Sequence, residues 1–436
     1  MEREELYFQP EIECAEPEVL REIQSERLRS MVARCYQHVP FYRRKLDEMG
    51  IRPEDIQSID DIVKLPFTYK TDLRDHFPYG LVAVPKEEVV RVHASSGTTG
   101  KQTVVAYTQH DIDVWANGAA RALAAAGCTR SDYVHISYGY GLFTGGLGLH
   151  YGAEKLGAAA IPVSSGNTKR QVQILQDFGS NFLCCTPSYA AYIGETCREM
   201  GVDTTKIPLR AGLFGAEAWS EGMRENIEKL LNIDAYDIYG LSEIAGPGVA
   251  YECREKQGLH VCEDYFYPEI IDPDTGKVLP DGEYGELVFT CIGKEALPLI
   301  RYRTRDISAL VREKCACGRT VVRLKKLKGR TDDMLIIRGV NVFPSQVEYV
   351  LTEMGLEPNY LIVVDRVGAL DTMEVQVEMT PQMFSDSVKD IESYERRLAA
   401  AMQSTLNIAA NVKLVAPKSL SRSEGKAQRV IDRRKI

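Results

Sequence analysis

No uninterrupted apolar run in the chain approaches the ~20 residues needed to cross a bilayer. The stretch from Gly145 to Val163 comes nearest, and His150, Glu154 and Lys155 break it. The first residues, MEREELYFQPEIECAEPE, are acidic and lack the apolar core of a secretory signal, so the expectation is a cytoplasmic protein with no membrane partner. Positive charge is in deficit: the formal net charge is −9, which excludes nucleic-acid binding driven by bulk electrostatics. Internal repeats and low-complexity tracts are missing too, which excludes a solenoid. A disulfide framework is not expected. The eleven cysteines are odd in number and diluted over 436 residues, and they read as reduced thiols. Cys184 and Cys185, inside the apolar run FLCCT, read as small core residues.

What is present is globular. With 44% hydrophobic and 26% charged residues the chain is neither disordered nor collagen-like, and its length leads one to expect two to four domains of about 150 residues. From Val19 to Met49, Leu20, Ile23, Leu28, Met31 and Val32 fall at helical spacing until Pro40 interrupts. Strands then alternate with helices. The strands are DYVHISY, AAIPVS, NFLCCT, RAGLFG and IDAYDIYG; the helices lie near His150 to Leu156, Arg170 to Phe178, Ser188 to Met200 and Ser220 to Leu231. This order predicts βαβ units and a mainly parallel sheet. After Gly248 the turn signals Pro273-Asp274-Thr275-Gly276 and Pro280-Asp281-Gly282 separate short alternating runs, predicting an antiparallel subdomain over about 249–328. Beyond Arg330, DMLIIRGVNVF, the hairpin pair YLIVVDR and MEVQVEMT, a helix over Glu395 to Leu406 and the strand VKLVA read as a small α+β unit. The expected division is 1–330 and 331–436.

The segment Ser95-Ser96-Gly97-Thr98-Thr99-Gly100-Lys101 follows the strand-like VVRVHA. Its glycines, hydroxyls and lysine suit a loop that rings a phosphate. It is not a Walker A loop, which would need glycine where Ser95 stands and a hydroxyl residue where Gln102 stands. Further along come Tyr239-Gly240-Leu241-Ser242-Glu243, Tyr302-Arg303-Thr304-Arg305-Asp306, Gly329-Arg330-Thr331-Asp332-Asp333 and Ser423-Glu424-Gly425-Lys426. In this order the motifs resemble the adenylate-forming superfamily of acyl-CoA synthetases, carrier-loading adenylation domains and luciferases. SSGTTGKQTVVAYT, YGYGLFTGGLG, YGLSEIAGPGVAYEC, YRTRD, GRTDDMLIIRGVNVFPSQVE and SEGKAQRVIDRR are similar to the phenylacetate–CoA ligase and aryl-CoA ligase branch. The likeness covers nearly the whole chain from about His38.

The resemblance implies an α/β enzyme with a large N-terminal domain of mainly parallel sheets, an antiparallel β subdomain and a small mobile α+β lid. It implies ATP, Mg²⁺ and coenzyme A as cosubstrates and cofactor, a small aromatic carboxylic acid as substrate, and a homodimer. The loop from Ser95 to Lys101 would hold phosphates, and Glu243 would bind Mg²⁺, a hard cation that prefers carboxylate oxygens. Tyr239, with Gly240, Ser242 and Asp237 beside it, would stack on adenine, and Gly215, Ala216 and Glu217 would line the adenine edge. Asp306 would accept from both ribose hydroxyls, with Arg330 nearby. Lys426 would bridge the carboxylate and the α-phosphate; on composition alone it reads as a tail lysine among Arg422, Arg429, Arg433 and Arg434. Asp332 resembles the hinge of the lid, after whose turn Arg338 and Gly339 would face the thiol channel.

The acyl pocket is expected in the loop from Tyr138 to Gly146, where Tyr138, Phe143, Thr144 and Gly145 offer a flat slot beside a ring. A same-fold ligase that loads a carrier protein's pantetheine, and a catalytically inactive binding homologue, are the competing expectations. That no carrier domain follows Ile436 favours free CoA, and the joint presence of Glu243, Asp306 and Lys426 disfavours the inactive homologue. One constellation stands on the residues alone. Cys253 and His260, followed by Cys315 and Cys317, supply three thiols and an imidazole for a closed tetrahedral structural Zn²⁺ site, with Cys262 an alternative ligand.

Overall fold

Nine strands form the central sheet of this computed structural model, which describes residues 6–95, 102–331, 335–338, 340–367, 370–384, 388–423 and 427–434. In spatial order they are Leu310–Val311, Arg323–Leu324, Leu259–Val261, Gly246–Glu252, Asp234–Leu241, Ala211–Gly215, Phe182–Cys185, Tyr133–Ile136 and Ala159–Ile161. The last five run parallel and are linked by the helices Gly145–Leu156, Thr168–Asp177, Pro187–Glu199 and Glu221–Leu231. Phe182–Cys185 and Ala211–Gly215 are buried along their whole length, as expected for strands covered on both faces. All eleven cysteines are free, and Cys184 and Cys185 are fully buried.

Near the N-terminus the helix Pro17–His38 stops at Val39, and Pro40 opens the helix Pro40–Glu48 at its first position, where a missing N–H costs nothing. Two helices that pack on each other depart from the sequence pattern. The helix Gly145–Leu156 starts inside the segment read as a loop. Its glycines are there for contact: a Cβ at Gly148 would lie 2.6 Å from the Trp115 indole, and one at Gly152 2.4 Å from Ala119 Cβ. The partner, helix Gln109–Ala125, has no expectation in the periodicity because 13 of its 17 residues are buried and no polar stripe marks it. Thr108 and Asp111 form its capping box.

The segment 249–328 is not one antiparallel unit. Gly246–Glu252, Leu259–Val261, Arg323–Leu324 and Leu310–Val311 extend the nine-stranded sheet in antiparallel sense, because Gly246–Glu252 folds straight back on Asp234–Leu241. Tyr267–Ile271, Gly285–Thr290, Tyr302–Ser308 and Gly329–Arg330 make a separate four-stranded antiparallel sheet.

The C-terminal residues build a second core. Strands Asn411–Val415, Leu370–Glu378, Tyr360–Val367 and Val430–Asp432 lie in that order, with the helices Pro344–Glu353 and Val388–Leu406. The core holds Ile362, Val364, Val375, Val377, Leu398 and Met402. Helix Val388–Leu406 begins before the predicted start at Glu395, and Pro344–Glu353 carried no expectation in the periodicity. Among the described residues, no helix is long and apolar enough to cross a membrane.

Candidate functional site

A cavity of about 320 Å³ opens where the parallel strands present their carboxyl ends, the usual ligand crevice of open α/β sheets. Tyr138 lies two residues beyond Tyr133–Ile136, Ala216 and Glu217 follow Ala211–Gly215, and Asp237, Tyr239, Gly240 and Leu241 belong to Asp234–Leu241. All of these line the cavity, as do Ser95, Phe143, Thr144, Gly145, Ser242, Asp306 and Arg330. Ala216 has φ +70°, a left-handed backbone that an alanine holds only under constraint from its surroundings. A further cavity of about 860 Å³ separates this region from the C-terminal unit, and Glu217, Trp219, Gly329 and Arg330 line both.

The expected aromatic slot divides into wall and mouth. Tyr138 is 4% exposed, and its hydroxyl accepts from the Gly215 amide at 3.0 Å. Phe143 is 42% exposed. Gly145 leaves the space beside them, since a Cβ there would stand 2.5 Å from the Phe143 ring and 3.1 Å from that of Tyr138. The Thr144 and Ser242 hydroxyls are 3.3 Å apart.

In the same cavity the Tyr239 hydroxyl donates to Asp306 Oδ2 at 2.5 Å, while Arg330 Nη1 stands 3.1 Å from Oδ1. Burial first, then the Asp306 carboxylate, raise the Tyr239 phenol far above its ordinary value, so it stays a donor. Asp237 is pushed up as well, by burial and then by the neighbouring Glu252. Glu243 is buried, and Lys70 Nζ lies 3.1 Å from its Oε1. The two oxygens of Glu217 accept from the amides of Ser188, at 2.7 Å, and Ala427, at 3.0 Å.

Ser96, Gly97, Thr98, Thr99, Gly100, Lys101, Asp332, Gly339 and Lys426 lie outside the described residues. Arg338 does not line the cavity. It bonds the carbonyls of Asp371 and Ala409 within the C-terminal unit. Trp219 and Lys326 line the cavity, and Lys70 pairs with Glu243 away from its lining, without having been singled out by the sequence. Trp219, one of two tryptophans in the chain, was the detectable one, standing two residues after Glu217; Lys70 sits in a segment with no motif.

Away from the cavity, Cys253, His260, Cys315 and Cys317 place one ligand atom each within 4.8 Å of one another. Cys253 Sγ and Cys315 Sγ are 3.8 Å apart, and Cys317 Sγ and His260 Nε2 3.5 Å. A tetrahedron with Zn–S of about 2.3 Å and Zn–N of about 2.0–2.1 Å has edges of about 3.8 and 3.6 Å. The Cys317 thiol is held far below its ordinary value, first by hydrogen bonding with Cys253 and then, against burial, by His260. Cys262 lies outside the cluster; its Sγ meets the Gly248 carbonyl at 3.4 Å.

A carboxylate-anchored tyrosine and a glycine-spaced aromatic slot thus line one cavity at the carboxyl ends of a parallel sheet. The chain belongs to the AMP-binding enzymes: residues 24–292 match that family, and 339–434 match the AMP-binding enzyme C-terminal domain. Within the adenylate-forming superfamily its place is the phenylacetate–CoA ligase branch. It is 50% identical to the phenylacetate-coenzyme A ligase of Thermus thermophilus over 99% of this chain and 100% of that one. The phenylacetate-coenzyme A ligase of Escherichia coli is 50% identical, covering 98% and 97% of the two chains. Among solved structures, 2-hydroxyisobutyryl-CoA ligase in the postadenylation state with 2-HIB-AMP superposes with a TM-score of 0.91 at 30% identity, covering 98% of this chain and 92% of that one. The same ligase in the thioesterification state with CoA gives 0.73 at 31% identity, covering 98% and 93%.

Proposed function

We propose that this chain is an AMP-forming aryl-acid–CoA ligase whose acid is phenylacetate or a near relative. In the first step a carboxylate oxygen attacks the α-phosphorus of ATP and displaces pyrophosphate. In the second the CoA thiolate attacks the acyl carbon and displaces AMP. The observation that carries this reading is the pairing, in one cavity, of Asp306 and Tyr239 with the slot between Tyr138 and Phe143. The names and full-length similarity of the relatives support the same chemistry.

Adenine lies between Tyr239 and the backbone at Gly215–Ala216, and Asp306 takes the ribose hydroxyls with Arg330 alongside. The Ser95–Lys101 loop cradles the β- and γ-phosphates. Lys426 sits between carboxylate and α-phosphate, where a cation offsets the approach of two anions. The lid turns about Asp332 between the half-reactions and brings Arg338 and Gly339 to the thiol channel. The buried Glu243 carboxylate, with one lysine for company, fits Mg²⁺, which supplies charge neutralisation for the phosphates when bound. The four-ligand cluster fits a structural Zn²⁺, and the protein acts as a cytoplasmic homodimer.

The test is pyrophosphate release with MgATP across benzoate, phenylacetate, indoleacetate and hexanoate, each with and without CoA. The expected result is release favouring phenylacetate, with phenylacetyl-CoA as product. Adenylate formation without thioester would point to a carrier protein instead, and silence across the panel would overturn the reading.

A further inference from the structure

Glu217 stands at the junction of the two units. It follows the strained Ala216 at the end of strand Ala211–Gly215 and lines both cavities. The Ser188 amide that it accepts from lies in the first turn of helix Pro187–Glu199, where backbone N–H groups have no partner within the helix and a carboxylate is favoured by the dipole. Its other oxygen accepts from Ala427, which lies in the C-terminal unit immediately before Gln428 and the strand Val430–Asp432. One carboxylate therefore joins a rigid helix end of the large unit to the backbone of the small one.

The contacts around it have the same character. Glu348 of the C-terminal helix Pro344–Glu353 accepts from the Ser220 amide at 2.8 Å. Arg422, held bidentate by Glu378 in its own unit, reaches Glu195 at 3.3 Å. At Gly222 the surfaces come together so closely that the three nearest atoms to an added Cβ, at 2.3, 2.5 and 2.8 Å, all belong to Thr352. Each of these pairs has one partner in each unit, so each exists only while the units sit as they do here.

We infer that Glu217 is a positioning residue for adenylation alone: it pins the C-terminal segment at Ala427, the residue after Lys426 in the chain, and has no part in thioester formation. This rests on the reading of Lys426 given above. Both Glu217 oxygens are engaged by backbone amides, one in each unit, so the join itself orients the carboxylate.

The two half-reactions are measured separately on the full-length protein: acid-dependent ATP–pyrophosphate exchange, and thioester formation from synthetic phenylacetyl-adenylate and CoA. Glu217→Gln keeps the size but leaves one oxygen for two backbone donors. Gly222→Ala attacks the same docking sterically, without touching the cavity's polar groups. Both are expected to slow exchange roughly 10- to 100-fold, the factor for losing a charge-assisted hydrogen bond, and to leave thioester formation within about twofold of wild type. Parallel loss in both half-reactions, loss confined to the thioester step, or no change in either would overturn the inference. If Glu217→Gln fails to fold, the split shown by Gly222→Ala decides. Lys426→Ala separates the two claims: undiminished exchange in that variant would sink the role of Lys426, whereas the role of Glu217 is judged on its own split.

Discussion

Asp237 carries a sharper expectation than its place in a motif suggests. Burial, and then Glu252, favour its protonated form, and a neutral carboxyl offers one donor and one acceptor. Adenine presents an amino donor beside a ring-nitrogen acceptor, so the two edges are complementary. Asparagine has the same pattern. Asp237→Asn is therefore expected to keep the KM for ATP within about threefold of wild type, while Asp237→Leu raises it about tenfold or more, as read in pyrophosphate exchange. A second residue-scale effect concerns stability. His135, fully buried on strand Tyr133–Ile136, donates from Nε2 to Gln171 Oε1 at 2.7 Å, and burial lowers its pKa to about 4. Between about 6.5 and 4 the unfolded chain binds this proton and the folded one does not, so stability falls as pH drops through that window. At pH 5 the loss is on the order of 2 kcal/mol. Thermal melts from pH 7 to 4.5 are expected to show a steeper fall for wild type than for His135→Gln; equal slopes would remove His135 from the account.

Among the elements, the thiol and imidazole cluster shows how strand pairing gathers four groups able to hold a metal, which spacing alone leaves open. Cys253 follows strand Gly246–Glu252, His260 lies in Leu259–Val261, and Arg323–Leu324 pairs with that strand and draws the 315–319 turn against it. The interval from Cys253 to His260 is long for a metal knuckle because a hairpin, not a knuckle, closes it. The same turn holds the N-terminal segment: Arg319 pairs with Glu13, its guanidinium donates to the Leu6 carbonyl, and the Tyr7 hydroxyl donates to the Cys317 carbonyl. Protein purified without added zinc is expected to contain close to one equivalent by elemental analysis. Cys315→Ser is expected to lower the melting temperature by about 5 °C or more and to expose the residues before Ala15 to protease. Well under half an equivalent of metal would end the zinc assignment. The helices Gly145–Leu156 and Gln109–Ala125 teach a related lesson, since glycine and alanine surfaces packed face to face carry no stripe for periodicity to find.

At the scale of the whole molecule, the two TM-scores against one ligase, 0.91 and 0.73, differ although the compared lengths are nearly equal. The likeness is greater to the postadenylation form than to the thioesterification form. Among the described residues, the polar contacts across the join include Glu217 on Ala427, Glu348 on Ser220, Arg422 and Asn359 on Glu195, Arg429 on Ser188 and Lys418 on Glu199. The C-terminal unit keeps a hydrophobic core of its own.

The order of strands and helices between Tyr133 and Leu241, the break at Val39 and several of the residues that come to line the cavity were legible in the chain itself. Those features are local: period 2 or 3.6, a proline, a glycine-spaced aromatic loop or a short motif states them within a dozen residues. The tertiary structure alone decided that Gly246–Glu252 and Leu259–Val261 join the large sheet, that Lys70 meets Glu243, that Cys262 stands apart from the other thiols, and that Glu217 spends both oxygens on backbone amides. Each of these depends on which distant surfaces meet, and a pairing between residues far apart in the chain leaves no periodic trace in either segment.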